Sequence, residues 1–521
     1  MGFYDAIKNE LSNETQLTEN GAVGYRTTGK KLLDLNFSVA SLRGASEQTI
    51  IDKFMKAYWE DPMMGVKWLF YSRDARQGLG ERRLFRIILT HLAKDKPEVV
   101  KAVFEFASEY GRWDDIWCLL ETDLKNDVIS VVAEQIDRDQ YDMANNQSIS
   151  LMSKWLPSEN ASSNETKRYA TIIRKGLDMT PRNYRKMLSE MRKYIDVVEC
   201  KMSAKEWNAI NYEAVPSRAN LIYNNAFLRN DEERRREYLG KLEKGEAKIN
   251  AGTLFPHDIV HKYMSSGGWH QSLKPYDATL EGLWKALPDT VKGAENTIVV
   301  ADGSGSMTCN VGGNTGVTAL DVANALAIYF AERSSGEFKD KYITFSERPQ
   351  LVDFSKAKNL HDKLGIARQY NEVANTNIEA VFDLILKTAV KNHMSQDDMP
   401  KNILIVSDME FDDCATTNTT RGSSGWYSYR NAPTTTLFDT IAQKYAEHGY
   451  QIPRLVFWNV NSRTGTIPVK ENDLGVALVS GFSVNIVNMV MSDKLDPYEC
   501  LLDVLNTERY QPIENAIKDI C

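Results

Sequence analysis

The 521-residue sequence is poor in cysteine and has no long apolar segment. Its six cysteines are scattered without a Cys-x-x-Cys pair, which argues against a disulfide framework and against a cysteine-rich zinc site. Because no run of about 18 apolar residues occurs, we expect no membrane-spanning helix. Residues 1–10 lack the apolar core of a secretory signal. Together these absences predict a protein of a reducing, cytoplasmic compartment.

Sequence motifs of several enzyme classes are absent as well. The seven histidines show no His-Glu-x-x-His spacing, and neither a GxxxxGK[ST] phosphate loop nor a GxSxG nucleophile elbow occurs. His257 and His261 are four residues apart, and we interpret them as a polar surface pair rather than as metal ligands. The serines of the Gly-Ser-Gly-Ser segment at 303–306 have no recognisable general base beside them. We therefore expect a protein without catalytic activity.

The composition is that of a folded protein with more than one domain. Hydrophobic residues make up 42% and charged residues 26% of the chain, which excludes bulk disorder. A chain of this length exceeds what one hydrophobic core usually supports. Residues 1–292 have the pattern of successive amphipathic helices and predict an all-α domain of stacked helical repeats. Residues 293–521 alternate short β-branched runs with helices and predict an α/β domain.

The second region is regular enough for its elements to be predicted individually. The predicted strands are 297–301, 341–345, 350–354, 402–407, 454–460 and 475–479. The predicted helices are 319–333, 378–391, 436–448 and 485–491. This alternation predicts a doubly wound sheet with helices on both faces, in which ligands gather at the carboxyl ends of the strands.

The sharpest signal for a binding site follows the first of these strands. Asp302, Ser304 and Ser306 alternate with glycines, which let the backbone curl so that a carboxylate and two hydroxyls converge. Thr376 precedes a predicted helix and Asp408 follows the fourth predicted strand, so we expect both at the same crevice. Oxygen ligands of this kind suit a divalent cation, Mg²⁺ first, with Mn²⁺ or Ca²⁺ as alternatives. The other interpretation is that the aspartate and serines cap a helix and a turn.

The net charge of −8 conceals a strong segregation of charge. Residues 154–193 contain ten Lys or Arg against four Asp or Glu, a balance of +6, which leaves −14 for the rest of the chain. Within this segment Thr180 and Pro181 predict the start of a helix that is apolar on one face and cationic on the other. Clustered positive charge near aromatic residues is typical of a surface that binds a phosphate backbone. The charge pattern alone fits a solvated helical face equally well.

Two basic clusters are the candidates for nucleic-acid contact, one around the turn at 78–80 and one within 154–193. The candidate RNA-contacting residues are Arg73, Arg76, Arg82, Arg83, Lys154, Arg168, Arg174, Lys175, Arg182, Arg185, Lys186, Arg192 and Lys193.

Both regions resemble known protein modules. The segments IVVADGSGSM (298–307) and SDMEFD (407–412), with Thr376 between them, resemble a von Willebrand factor A domain. The preceding region resembles the TROVE module of the Ro autoantigen family, particularly its shorter viral, bacterial and plant relatives. The segments that carry this second resemblance are 32–44, 71–86, 110–117, 153–158, 184–192 and 248–260. Together the matching segments span most of the chain in the order of the family.

The resemblance implies a monomeric ring of HEAT-like helical repeats closed by a von Willebrand factor A-like domain. It implies a non-catalytic RNA-binding protein of Ro type, which binds small structured or misfolded RNA at the basic surface and hole of the ring, in RNA quality control or as a ribonucleoprotein scaffold. The metal-ion-dependent adhesion site of the family carries over onto Asp302, Ser304, Ser306, Thr376 and Asp408. The alternative function is a metal-dependent protein-interaction scaffold, in which the cation binds a carboxylate of an acidic protein partner.

The sequence departs from the family pattern at two places near the expected metal site. The loop at 308–316 is longer than is usual in these domains. Glu410, Asp412 and Asp413 follow the Asp408 position closely, and we expect them to crowd the rim of the metal site.

Overall fold

The computed structural model describes residues 15–19, 23–264, 272–291, 296–311, 316–345, 348–370, 377–411, 437–468, 476–486 and 496–520. The described residues form two compact units, each built from two stretches of chain. An α/β unit takes its residues from Met1–Ser46 and Leu254–Val504, and a helical unit takes its residues from Glu47–Thr253 and Leu505–Cys521. The predicted combination of a helical part and an α/β part is thereby confirmed. Every helix in the described ranges is too short or too polar to cross a membrane.

In its described residues, the first segment of the α/β unit contains two short strands and two short helices. These are β1 (Thr15–Leu17), β2 (Val23–Tyr25), α1 (Lys31–Phe37) and α2 (Val39–Leu42).

The helical unit consists of α-helices joined by turns, loops and short 3₁₀ segments. These are α3 (Glu47–Glu60), α4 (Pro62–Arg73), α5 (Arg82–Asp95), α6 (Pro97–Val103), α7 (Ala107–Tyr110), α8 (Lys125–Ala144), α9 (Met152–Trp155), α10 (Asn164–Gly176), α11 (Pro181–Tyr194), α12 (Val198–Ala204), α13 (Ser217–Asn230) and α14 (Glu232–Glu243). Successive helices pack on one another, as α3, α4 and α5 do, because each helix buries its apolar face against a neighbour.

The remaining elements of the α/β unit alternate between helices and strands, and a last helix returns to the helical unit. They are α15 (Pro256–Tyr263), α16 (Ala278–Lys285), β3 (Thr297–Asp302), α17 (Ala319–Arg333), β4 (Lys341–Phe345), β5 (Gln350–Asp353), α18 (Leu360–Ala367), α19 (Ile378–Lys391), β6 (Asn402–Ser407), α20 (Leu437–Glu447), β7 (Arg454–Asn459), β8 (Val476–Ser480), α21 (Pro497–Leu505) and α22 (Gln511–Ile517).

Strands β3 to β8 form a single sheet in the order β5-β4-β3-β6-β7-β8. All neighbours are parallel except β5, which pairs antiparallel with β4 at one edge. The chain runs outward from β3 through β4 and β5, then returns to the other side of β3 as β6. The β3–β6 pair is therefore the topological switch point, and the crevice beyond its carboxyl ends is where such sheets bind ligands.

The predicted elements of the α/β region agree closely with those observed. All six predicted strands are present with ends that differ by at most one residue, and α17 and α19 have the predicted bounds. The predicted helix at 485–491 lies mostly outside the described residues, and its first part belongs to a 3₁₀ turn at Val484–Ile486. The strands are recognisable because β3, β6, β7 and β8 are buried almost throughout and have continuous apolar sequences.

The two units do not follow the single division predicted between residues 292 and 293. The N-terminal segment belongs with the sheet because its main chain is bonded to strand ends: Ala40 N donates to Ser480 Oγ at 3.0 Å, and the Asn459 side-chain amide donates to Phe37 O at 2.8 Å. Helix α15 packs along α17 and joins the same unit. These contacts connect residues far apart in sequence, which a boundary based on local composition does not detect.

A buried lysine fastens the last helix within the helical unit. Lys67, on α4, is completely buried, and its ammonium donates to Asn506 Oδ1 at 2.7 Å and to Glu514 Oε2 at 2.6 Å. Arg509 adds an ion pair with Asp74 at 2.8 Å. Because a buried charge that loses its partner is strongly destabilising, these contacts make residues 505–520 an integral part of the helical unit.

Candidate metal site and cationic surface

The parallel register of the sheet brings two carboxylates of the chain to the switch point. Strand β3 ends at Asp302, strand β6 ends at Ser407, and the register pairs Ala301 with Val406 one position earlier. Asp302 and Asp408 are both buried. The Ser407 hydroxyl donates to Asp302 Oδ2 at 2.8 Å and so fixes the orientation of this carboxylate.

The loop after β3 turns its two predicted hydroxyl ligands toward each other. Ser304 N donates to Asp302 Oδ1 at 2.9 Å, and the hydroxyl oxygens of Ser304 and Ser306 are 2.9 Å apart. Residues Gly305–Thr308 form a 3₁₀ turn that keeps Ser306 close to the strand end. The local turn that the alternative interpretation predicted is therefore present, and it brings the carboxylate and the hydroxyls together.

Asp408 completes this cluster from the neighbouring strand end. Its Oδ1 accepts a hydrogen bond from Glu410 N at 3.3 Å. Its Oδ2 is buried and accepts no hydrogen bond from the described residues, and the Arg463 guanidinium nitrogen Nη2 lies 3.5 Å away. Burial raises the pKa of Asp408, and the hydroxyl of Ser306 and the charge of Arg463 oppose that rise. Burial and the nearby charge of Asp408 raise the pKa of Asp302 to about 7.

The chemistry of these groups fits a hard divalent cation. The cluster offers two carboxylates and two hydroxyls, all oxygen ligands of the kind that Mg²⁺ prefers, and one carboxylate oxygen is buried without a hydrogen-bond donor. A bound cation would favour the charged form of both carboxylates, which burial and mutual repulsion now disfavour. Within the described ranges, no three or more His, Cys, Asp or Glu side chains form a metal-binding group, so a cation here would depend on the serines. Thr376 lies outside the described residues.

Of the acidic residues expected at the rim of this site, Glu410 is described by the structure. Glu410 is buried, and its Oε1 accepts hydrogen bonds from the main-chain amides of Arg463 and Thr464 at 2.8 and 2.9 Å. It therefore anchors the loop after β7, and its negative charge also acts on Asp408 and raises the pKa of that carboxyl, as expected of an acidic residue beside the site. Asp412 and Asp413 lie outside the described residues. The long loop of 308–316 is described at its two ends, where Val311 N bonds to Val317 O at 2.8 Å.

The two histidines that we interpreted as a polar surface pair have separate, partly buried positions. His257 is buried and packs edge-on against Phe482 with ring centroids 5.1 Å apart. His261 Nδ1 lies 2.9 Å from a carboxylate oxygen of Asp321, a buried residue in the first turn of α17 that also accepts a hydrogen bond from the main-chain amide of the N-cap residue Thr318. The surface interpretation is therefore wrong, because both histidines of α15 contact other residues of the α/β unit, Phe482 and Asp321.

Three of the candidate RNA-contacting residues are tied to the interior of the helical unit. Arg73 is buried and pairs with Asp115 at 2.6 Å. Arg174 pairs with Glu159 at 2.7 Å and donates to Met179 O. Arg192 donates to the main chain of 153 and 156 and to the hydroxyl of residue 158, at 2.7 to 2.9 Å. Their cationic groups are used in contacts within the unit, and Arg174 and Arg192 are only partly exposed.

The other candidate residues differ in their exposure and in whether they form an ion pair. Arg168 pairs with Glu121 at 2.6 Å on the surface, and Lys154 is half-buried beside the ring of Trp155. Exposed candidates outside α11 are Arg76, Arg82, Arg83 and Lys175.

Helix α11 carries regularly spaced positive charges on its exposed side. The predicted cap is confirmed, since the Thr180 hydroxyl accepts a hydrogen bond from Asn183 N at 3.2 Å. At about 100° per residue, four exposed cations share one side of the helix; we call them the cationic stripe, and they are Arg182, Arg185, Lys186 and Lys193. The opposite side is buried and consists of Tyr184, Met187, Leu188 and Met191. Only Lys186 in this stripe has an ion-pair partner among the described residues, Glu190 at 3.7 Å.

Replacing Arg192 should destabilise the helical unit, although arginine is usually a surface residue. Arg192→Gln leaves the carbonyls of 153 and 156 without their donor, so we expect a loss of about 2 kcal/mol or more in the free energy of unfolding. Lys193→Gln, its neighbour in the cationic stripe, should change it by less than about 0.5 kcal/mol. Urea unfolding of both variants measures the difference. Equal stabilities would show that the Arg192 hydrogen bonds contribute nothing.

Three residues at or near the site were not predicted from the sequence. Ser407 could have been predicted from the sheet register, because it lies beside Asp302. Arg463 and Glu19 could not, since each lies in a loop and reaches the site only through long-range contacts.

Comparison with known proteins finds matches to two family models and to a viral protein. Residues 162–296 match a family model described as "Domain of unknown function (DUF2828)", and residues 296–514 match one described as "Domain of unknown function (DUF7788)". The chain is 30% identical over 539 residues to "Uncharacterized protein L728" of Acanthamoeba polyphaga mimivirus, an alignment that covers 95% of this chain and 88% of that protein. The cationic stripe lies in the first matched region, and the Asp302–Asp408 cluster lies in the second.

Proposed function

The chain belongs to the same family as the mimivirus protein, with DUF2828 and DUF7788 regions in tandem, and we propose that it is a non-catalytic RNA-binding protein. In this proposal the helical unit binds small structured or misfolded RNA. The α/β unit holds a divalent cation at Asp302, Ser304, Ser306 and Asp408, with Mg²⁺ as the first expectation.

The observation that carries the RNA-binding proposal is the cationic stripe of α11. Four exposed cations on one side of a helix whose other side is buried can each approach a phosphate without disturbing the fold. Neutralising several phosphates releases condensed counterions, which is the main source of affinity in binding to a nucleic-acid backbone. Arg73, Arg174 and Arg192 are excluded from the proposed contact surface because their charges are used inside the unit.

A second candidate function is supported by the carboxylate and hydroxyl cluster of the α/β unit. Two carboxylates and two hydroxyls supply four of the six oxygen ligands of Mg²⁺, and a further carboxylate can take one of the positions left to water. The α/β unit would then capture an acidic protein partner in a metal-dependent manner. Both activities are compatible in one scaffold protein.

The proposal extends the resemblance to Ro-type proteins. It equates the helical unit with a TROVE module and the α/β unit with a von Willebrand factor A domain carrying a metal-ion-dependent adhesion site. It includes a cytoplasmic, monomeric protein without enzymatic activity.

A titration of the purified full chain with a labelled RNA hairpin, in chelator and in Mg²⁺, tests the proposal. RNA affinity should fall steeply with salt, because phosphate contacts dominate, and should be nearly the same in chelator. Affinity that is insensitive to salt would contradict the RNA-binding proposal. Capture of an acidic protein that is lost in chelator, without RNA binding, would favour the second candidate instead.

A further inference from the structure

An arginine side chain stands beside the buried carboxylate of the candidate metal site. Arg463 Nη2 lies 3.5 Å from Asp408 Oδ2 and 2.5 Å from Glu19 Oε2. The Asp408 side chain is completely buried, whereas those of Arg463 and Glu19 are 39% and 53% exposed. The guanidinium group therefore connects a buried carboxylate of the site with a carboxylate at the surface.

Glu410 holds both ends of this connection through the main chain. Its Oε1 accepts hydrogen bonds from the amides of Arg463 and Thr464, and its Oε2 accepts one from the amide of Glu19 at 2.8 Å. Because Glu410 is itself buried and follows Asp408 by two residues, the arginine and the surface carboxylate are fixed relative to the site. The arrangement is thus a built feature of the α/β unit rather than a chance surface ion pair.

We propose that Arg463 is a built-in competitor of the divalent cation and that Glu19 retains the guanidinium when the cation displaces it. This inference rests on the proposed metal site. A positive charge 3.5 Å from Asp408 Oδ2 neutralises that carboxylate in the absence of metal and repels an arriving cation. Glu19 reduces this repulsion, because it offers the guanidinium a second partner at the protein surface. The pair sets the cation concentration at which the site fills.

The two members of the pair should have opposite effects on metal affinity. Arg463→Gln removes the competing charge and should tighten Mn²⁺ binding roughly tenfold, allowing for the partial exposure of the side chain. Glu19→Gln leaves Arg463 with Asp408 as its main partner and should weaken Mn²⁺ binding roughly threefold. Arg463→Lys keeps the charge and should bind Mn²⁺ within about twofold of the unchanged protein.

Free Mn²⁺ measured by electron paramagnetic resonance during titration of the full chain tests this proposal. Lys387→Gln and Glu337→Gln change the same charges at exposed positions of the same unit and should leave the affinity unchanged. Opposite shifts for Arg463→Gln and Glu19→Gln would support the proposal, and shifts in the same direction or of the size seen in the controls would overturn it.

The experiment also separates this proposal from the metal site on which it rests. If the unchanged protein binds no Mn²⁺ with saturation, or binds it equally well as Asp302→Ala, both the metal site and the competition are overturned. If binding is saturable and depends on Asp302 but is indifferent to Arg463 and Glu19, the metal site stands and the competition alone fails.

Discussion

Replacing the four residues of the cationic stripe with glutamine should lower RNA affinity on the order of 10³-fold at about 0.1 M monovalent salt. Each cation that neutralises a phosphate contributes close to one unit to the slope of log affinity against log salt, so the slope should also fall by about 3 to 4. Arg182→Gln, Arg185→Gln, Lys186→Gln and Lys193→Gln should leave the fold intact, because these side chains are exposed and the buried side of α11 is unchanged. Fluorescence anisotropy over a range of salt concentrations measures both quantities.

The matched control removes four cations from other exposed positions of the helical unit. Glutamine at Lys56, Lys94, Lys125 and Arg138 changes the net charge equally, and these positions lie on α3, α5 and α8. The control should retain RNA affinity within about tenfold, the loss expected from long-range charge alone. If the stripe variant and the control lose affinity equally, net charge rather than the α11 surface is responsible, and the assignment of this surface fails.

The second large effect is expected at the candidate metal site. Asp302→Asn should reduce divalent-cation affinity by more than about 100-fold, because it removes one of two charged ligands. In the unchanged protein, a cation at about 100 times its dissociation constant should add about 2.7 kcal/mol to the free energy of unfolding. Thermal or urea unfolding with Mg²⁺ and with chelator should show this stabilisation, and the variant should lack it.

In chelator, Asp302→Asn should raise the stability of the folded protein, whereas in Mg²⁺ it removes the stabilisation by the cation. The folded-state pKa of Asp302 is raised from 3.8 to about 7, so the folded protein binds this proton more tightly than the unfolded chain does. Stability contributed by this group is thus lost as pH rises from about 4 to about 7. Without metal at pH 8, Asp302→Asn removes the unfavourable buried charge and should unfold at a higher temperature than the unchanged protein. Equal responses of both proteins to Mg²⁺ would contradict the metal site.

Ser407→Ala provides a graded comparison with Asp302→Asn. It removes the hydroxyl that orients Asp302 but leaves both carboxylates in place. Cation affinity should fall by about 10- to 100-fold, a smaller loss than for Asp302→Asn.

The sheet was predictable from sequence because its strands carry the signal locally. Strands β3 and β6 are continuous apolar runs, and the polar residues that follow them stand out against this background. Parallel strands end on the same edge of a sheet, so Asp302 and Asp408 were expected to meet there, as they do. The cap at Thr180 was equally local, since it depends only on the next three residues.

Contacts between distant parts of the chain could not be predicted in this way. In the sequence Glu410 is one more acidic residue beside Asp408. Its burial and its hydrogen bonds with the main chain of the loop after β7 depend on where that loop packs. Arg192 belongs to a basic run, yet the carbonyls of a preceding turn occupy its guanidinium. In both cases the charge of the side chain was evident and its partner was not, because the partner is determined by tertiary packing.

The interleaving of the two units has a consequence for how the protein can be made and divided. The chain passes between the units at three places, after residues 46, 253 and 504. On the ribosome, the contacts of Lys67 with Asn506 and Glu514 can form only after more than four hundred further residues have been translated. A fragment that begins at 296 would lack Glu19 and the main-chain pairing of Tyr25 with Ile467. Separate expression of either matched region would therefore yield an incomplete core, and co-expressed complementary fragments are the more suitable way to study one unit at a time.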